Sequence, residues 1–362
     1  MRKIKVLIVD DSAFMRKLIS DFVTEDNMIE VVGVARNGKD GIDRIKKWKP
    51  DVVTLDVEMP IMNGLDALKM IMDECPVPVI MLSSTTVEGA ENTLLSMQYG
   101  AFDFIQKPSG LISLDLHKIK QELIEKIHAA SNTNIALLQK TTKVHNHLRL
   151  KKEECSNVEL CKKKPDKTPF LSGNKRIIAI GTSTGGPRAL QCVLTYMPED
   201  IDAPIFIVQH MPPGFTKSLA NRLNGLSRIT VKEAEDGENV QNGVAYIAPG
   251  GFHLTTVQKG NRLKIQLNEN PLVNGHRPSV DIMFESISNL DGYSVIAVIM
   301  TGMGNDGSKG LISLKKKSNV VCIAESEQSS IVFGMPKAAI ATNFVDVVED
   351  IENIAQSIIK YC

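Results

Sequence analysis

Short, continuous apolar runs punctuate this chain, and each stops at polar residues with chemical capability. Ile4–Val9, broken by one lysine, halts at Asp10-Asp11-Ser12. Val52–Leu55 halts at Asp56, Val77–Leu82 at Ser83-Ser84, and Phe102–Ile105 just before Lys107-Pro108. Runs this short and uniformly apolar suit strands buried on both faces, as in a parallel sheet. Val31–Ala35 reads as one more. Helical periods lie between them: Phe14, Leu18 and Phe22 share a face, Ile42 and Ile45 mark a second helix, and Leu65–Met72, Glu88–Tyr99 and Leu116–Ile127 follow. Five β/α units predict a doubly wound sheet, with active groups at the carboxyl ends of its strands.

The pattern resumes after residue 175. Arg176–Ile180 runs into Gly181-Thr182-Ser183-Thr184-Gly185-Gly186-Pro187, with a helical face at Leu190, Val193 and Leu194. Ile205–Gln209 ends at His210, and Val295–Met300 ends in Thr301-Gly302-Met303-Gly304-Asn305-Asp306-Gly307 before another helix. A second α/β domain is predicted. The 362 residues suit about two domains, and charge locates the join. The total is 42 basic against 42 acidic. Residues 1–139 carry −4, residues 140–176 carry eleven basic and four acidic side chains, and residues 177–362 carry −3. The basic stretch has few large apolar residues and no sustained period, as in a solvated linker. The expected division is therefore 1–130, a linker over 131–175, and 176–362.

Other classes are disfavoured. No apolar run approaches the ~18 residues of a membrane span. The basic start is too short of apolar residues for a signal peptide. Six scattered cysteines suit neither a zinc site nor a disulfide framework, and point to a reducing cytoplasm. Zero net charge and alternating strands and helices argue against a nucleic-acid-binding output.

In the first domain, three carboxylates at one sheet edge, Asp10, Asp11 and Asp56, would repel one another. A hard divalent cation with oxygen ligands resolves this, and Mg²⁺ is the natural candidate. Lys107 adds positive charge and Ser83 a hydroxyl, a set suited to a phosphoryl group. These residues, and Asp56-Val-Glu-Met-Pro-Ile-Met-Asn-Gly64, resemble the receiver domain of two-component response regulators over about residues 1–125. The resemblance implies a five-stranded flavodoxin-like fold and Asp56 as phospho-acceptor. It implies Asp10, Asp11 and Asp56 around Mg²⁺, Ser83 and Lys107 as phosphoryl sensors, and Phe104 as the aromatic switch.

In the second domain, the Gly181–Gly186 turn admits three readings: a phosphate cradle, a nucleophile elbow matching G-x-S-x-G, and a plain tight turn. No Walker lysine follows it. Ser183, His210 and Asp306 are all predicted at strand ends, as a nucleophile, its base and the base's orienter require. Their order is not that of ordinary α/β-hydrolases.

Five segments then extend the likeness: GTSTGG, QHMPPGF (209–215), AYIAPGGFHL (245–254), HRPSVD (276–281) and TGMGNDG (301–307). Together they resemble the chemotaxis protein-glutamate methylesterases over about residues 176–345. The resemblance implies a Rossmann-like α/β methylesterase domain with Ser183 as nucleophile, His210 as base and Asp306 as orienter. It implies the Met303 N–H as an oxyanion donor, with Thr184 lining the site. Activity would be switched on by receiver phosphorylation and would remove methyl groups from glutamyl esters on chemoreceptor helices, with glutamine deamidation alongside. No cofactor is expected for the ester chemistry. The implied partners are chemoreceptors and a histidine kinase, with neither nucleic acid nor membrane insertion. A structural role is favoured for His253. His276 and Arg277 either line a groove or hold a turn.

Overall fold

The computed structural model describes residues 2–84, 86–107, 113–139, 175–260 and 262–362. Most of the basic stretch, including His145 and His147, lies outside these residues, as does Pro108. The chain divides into two compact units, Met1–Leu160 and Cys161–Cys362.

The first unit alternates strands β1 (Ile4–Val9), β2 (Ile29–Ala35), β3 (Val52–Asp56), β4 (Val79–Ser83) and β5 (Asp103–Gln106) with helices α1 (Ala13–Thr24), α2 (Gly38–Trp48), α3 (Gly64–Glu74), α4 (Val87–Gln98) and α5 (Ser113–Ser131). The strands are parallel in the order β2-β1-β3-β4-β5, as a doubly wound sheet requires. β3 and β4 are buried along their whole length, which explains their unbroken apolar runs. Side chains at the ends of strands and in the loops start the helices: Ser12, Asn37, Asn63 and Thr86 each accept a main-chain N–H in the first turn. Packing continues past residue 130. Leu138 is buried, and Gln139 Nε2 donates to the Met72 carbonyl at 3.0 Å.

The second unit is built on seven parallel strands in the order β14-β13-β12-β6-β7-β9-β8. They are β6 (Lys175–Thr182), β7 (Ile205–Gln209), β8 (Thr230–Glu233), β9 (Val244–Ile247), β12 (Tyr293–Ile299), β13 (Asn319–Glu325) and β14 (Val347–Glu349). An antiparallel hairpin, β10 (His253–Lys259) with β11 (Arg262–Asn268), stands apart from this sheet. The helices are α6 (Gly186–Leu194), α7 (Phe215–Leu226), α8 (Val280–Ile287), α9 (Ser308–Lys317), α10 (Met335–Ile340) and α11 (Ile351–Tyr361). The chain leaves β6 toward β7 on one side and builds β12 and β13 on the other. Such a switch point opens a crevice at the strand ends.

The core joins Ile177 and Ala179 of β6, Phe206 and Val208 of β7, and Val295 and Ala297 of β12 to the apolar faces of α8 and α9. Phe206 is fully buried and stacks on Tyr246, ring centroids 5.9 Å apart. Phe206→Ala should lower unfolding free energy by about 3–5 kcal/mol, read as a drop in urea midpoint with an unchanged slope.

Candidate active site

The candidate crevice forms where β6, β7 and β12 end. Thr182 pairs with Gln209 in the β6–β7 register, so Ser183 and His210 are the next residues on neighbouring strands. The turn that carries Ser183 is tied down on every side. Ser183 N–H donates to the Thr301 carbonyl at 3.0 Å, and Gln209 Nε2 donates to the Ser183 carbonyl at 2.9 Å. Gly185 enters α6 at φ 79°, a conformation glycine adopts without strain, and Pro187 occupies the first turn. A Cβ on Gly186 would lie 1.9 Å from Gln209 Oε1 and 2.5 Å from Thr182 Oγ1, so a larger residue there would displace the Gln209 amide that holds the Ser183 carbonyl.

His210 Nε2 lies 2.8 Å from Asp306 Oδ2. Asp306 also accepts from Val280 N at 2.7 Å, Asp281 N at 3.1 Å, Ser279 Oγ at 2.8 Å and Asn274 Nδ2 at 3.2 Å. Burial would raise its pKa, but the His210 hydrogen bond and charge, with the Val280 and Ser279 donors, hold it well below the usual carboxylate range. An ionised Asp306 can only accept, so Nε2 must carry the proton of the pair. His210 Nδ1 is then the basic nitrogen. It is buried, with no hydrogen-bond partner among the described residues.

Two helices meet this site through exchanged caps. Asp306, just before α9, accepts the first N–H groups of α8. Asp281, in α8, accepts from Gly307 N at 2.9 Å and Gly310 N at 2.7 Å at the start of α9. Each carboxylate thus faces the positive end of the other's helix. Burial and the neighbouring Asp306 charge raise the Asp281 pKa. Asn274 bridges the two acids, donating to Asp281 Oδ2 at 2.9 Å as well as to Asp306.

Thr184 is buried, and its carbonyl accepts from Thr301 Oγ1 at 2.9 Å. Met303 follows Gly302, where a Cβ would stand 2.8 Å from Ser183 Cβ and 2.4 Å from Met335 Sδ. The imidazole of His276 stacks on His210, centroids 3.8 Å apart and planes 10° from parallel. His276 therefore belongs to the site, whereas Arg277 holds a turn through the Glu269 and Asn270 carbonyls. His253 is buried beside the Pro271 carbonyl, in a structural role. Asn274, Ser279 and Asp281 carry no strand-end signal; only Ser279 and Asp281 fall within a quoted motif.

In the first unit, Asp10, Asp11 and Asp56 offer carboxylate oxygens within 4.8 Å of one another. Lys107 Nζ lies 2.7 Å from Asp56 Oδ2 and 3.0 Å from Asp10 Oδ2. Burial pushes the Asp56 carboxyl up to about 6, with Asp10 adding to the rise and Lys107 opposing it. Burial lowers the Lys107 pKa, but Asp56 and Asp10 outweigh it, and the net shift is upward. Ser83 is buried; its hydroxyl donates to the Gly89 carbonyl at 3.1 Å and accepts from Thr93 Oγ1 at 2.6 Å. Phe104 is buried, with Lys126 Nζ 5.4 Å from its ring.

A phosphoryl-type acidic edge in one unit and a Ser-His-Asp crevice in the other define a response regulator with an enzymatic output. Residues 6–118 match the response regulator receiver domain, and residues 178–358 match the CheB methylesterase model. A Geobacillus kaustophilus protein named protein-glutamate methylesterase/protein-glutamine glutaminase is 54% identical over 360 residues, 99% of each chain. Its namesake in Bacillus subtilis is 49% identical over 357 residues, 98% of this chain and 97% of that one. The crystal structure of the Thermotoga maritima CheB methylesterase catalytic domain is 43% identical, with a TM-score of 0.50, and covers 53% of this chain and 100% of its own. The chain belongs to the CheB methylesterase family, with a receiver domain ahead of the catalytic domain.

Gly302→Ala should drive the new methyl group against Ser183 and Met335. Its reaction with a serine-directed phosphonate should slow at least tenfold while circular dichroism stays native. Wild-type labelling would show that the approach of Gly302 to Ser183 is unimportant.

Proposed function

We propose that this protein hydrolyses γ-glutamyl methyl esters on the cytoplasmic helices of chemoreceptors, and deamidates glutamine at such sites, under control of receiver phosphorylation. One contact carries the catalytic reading: His210 Nε2 against the buried, ionised Asp306 at 2.8 Å. With that nitrogen committed, Nδ1 takes the Ser183 proton as Oγ attacks the ester carbonyl. The Met303 N–H meets the oxyanion of the tetrahedral intermediate, and Thr184 shapes the wall beside it. The Nδ1 proton passes to the departing methoxide, giving methanol and an acyl-Ser183. Water, deprotonated by His210, then attacks the acyl carbon, and Ser183 recovers its proton as the glutamate leaves. An amide passes through the same intermediate, with ammonia as leaving group.

Asp56 is the proposed phospho-acceptor. The hard oxygen donors of Asp10, Asp11 and Asp56, all within 4.8 Å of one another, suit Mg²⁺. Mg²⁺, when bound, would neutralise charge on the incoming phosphoryl oxygens. Lys107 would pair with the phosphoryl group, Ser83 would turn its hydroxyl from α4 toward it, and Phe104 would respond. A chemotaxis histidine kinase would supply the group, and the esterase would serve adaptation in the cytoplasm. No described helix is long and apolar enough to cross a membrane.

Ser183→Ala should cut methanol release from methylated receptor membranes by roughly 10⁴-fold or more; undiminished release would refute the nucleophile. Asp56→Asn should keep basal hydrolysis but lose its stimulation by a small phosphodonor with Mg²⁺. Stimulation that survives would remove Asp56 from the switch.

A further inference from the structure

Behind the nucleophile turn lies a buried acid that the triad does not use. Glu325 ends β13 and is 1% exposed. Its Oε2 accepts the Thr301 N–H at 2.7 Å, and its Oε1 accepts from Ser329 Oγ at 3.0 Å. Thr301 is the joint on which the site hangs. Its carbonyl accepts from Ser183 N at 3.0 Å and Thr182 Oγ1 at 2.9 Å. Its hydroxyl donates to the Thr184 carbonyl and accepts from Val332 N at 3.0 Å. The next residues are Gly302 and Met303. A single residue thus has Glu325 on its N–H and the nucleophile's main chain on its carbonyl.

We infer that Glu325 is a positioning residue for ester hydrolysis, which in its ionised form anchors the Thr301 peptide and so fixes Ser183 and the Met303 N–H relative to one another. This rests on the reading of Ser183 as nucleophile. Held at its N–H by Glu325 and at its hydroxyl by the Thr184 carbonyl and the Val332 N–H, Thr301 presents its carbonyl to Ser183 in one fixed direction. A charged acceptor also holds its donor more firmly than a neutral one. Both effects tighten the Thr301–Ser183 link. An aliphatic side chain would fill the space at the end of β13 with no desolvation cost. A lone acid there is costly unless its charge is used.

The charged groups that face Glu325 are few. Arg188 of α6 favours its ionised form, and Glu352 of α11 disfavours it; the Cys192 thiol of α6 lies within their influence. Burial dominates and pushes the Glu325 carboxyl up to about 7. The sign follows: the anchor is charged above that value and is lost as pH falls through it. Protonating the anchor therefore opposes the reaction on the acid side.

The test is the pH profile of kcat on a methylated receptor or a small ester, for the wild type, Glu325→Gln and Ser183→Ala in the full-length protein. Glutamine keeps the acceptor for Thr301 N–H and can donate to Ser329 Oγ, so the fold should survive. The wild type should lose activity as pH falls through about 7. Glu325→Gln should lack that acid loss or show it with a shallower slope, with a plateau lowered roughly fivefold at alkaline pH and KM unchanged. Ser329→Ala should keep the wild-type slope. A Glu325→Gln profile matching wild type in slope and plateau overturns the proposal, as does an effect confined to thermal midpoint. If Ser183→Ala remains active, the nucleophile reading itself falls, and this proposal with it. An inactive Ser183→Ala with an unaltered Glu325→Gln profile rejects only Glu325.

Discussion

The crevice that gathers Ser183 and His210 depends on burying the charge of Asp306. At 2% exposure this carboxylate would be prohibitively costly without partners. It has five, and four of them come from residues 274–281: Asn274, Ser279, and the main chain of Val280 and Asp281. The fifth is His210. Satisfying the charge therefore docks the segment that opens α8 against the loop that opens α9, and Asp281 returns the contact from the other side. The same arrangement fixes the tautomer of His210. Stability of the loop pair and readiness of the base are one requirement, met by one set of hydrogen bonds.

Both sheets have acids beyond the carboxyl ends of their strands, and the two surroundings treat them in opposite ways. In the receiver, Asp10 and Asp56 face each other across β1 and β3, with Lys107 as the charged partner of both. Burial wins there, and the Asp56 carboxyl sits near 6, poorly neutralised as it stands. A cation and a phosphoryl group can still change that balance, as a switch requires. In the catalytic unit, Asp306 is over-satisfied by fixed donors and has little left to respond to. One edge is an input that waits for charge, and the other is a machine part already set.

Much of this was legible in the sequence because the informative residues sit where local patterns break. An apolar run ending in Asp56, Ser183 or His210 announces both a parallel strand and a candidate group at its active edge. What was not legible depends on distant pairing. The β10–β11 hairpin and β13 are ordinary amphipathic or apolar stretches, and nothing local says that one leaves the sheet and the other lies beside β12. Asn274 and Ser279 look like turn residues, and their value comes from Asp306, 32 and 27 positions away. Glu325 closes an apolar run in the same way as Asp56, so the strand-end rule would have found it. The packing of residues 134–139 on the receiver was likewise hidden, since a half-polar segment after a helix resembles a linker until Leu138 is seen to be buried.

The Ser-His-Asp chain order follows from the sheet. Ser183 follows β6, His210 follows β7 on one side, and Asp306 comes after β12 on the other. His210 and Asp306 therefore come from opposite flanks of the Ser183 strand and must meet across it. The distance closes because the end of β6 carries almost no bulk. A Cβ on Gly181 would lie 2.4 Å from Val280 Cγ1, and one on Gly307 would lie 2.9 Å from the same atom. Val280 fills the space those two glycines leave, and this seats the N-terminus of α8 over β6. From that seat the Val280 N–H reaches Asp306 Oδ2, the oxygen that also receives His210 Nε2. The glycines on β6 and before α9 thus shape the crevice from a distance. They let a helix settle where a carboxylate from one side of Ser183 can hold a histidine from the other.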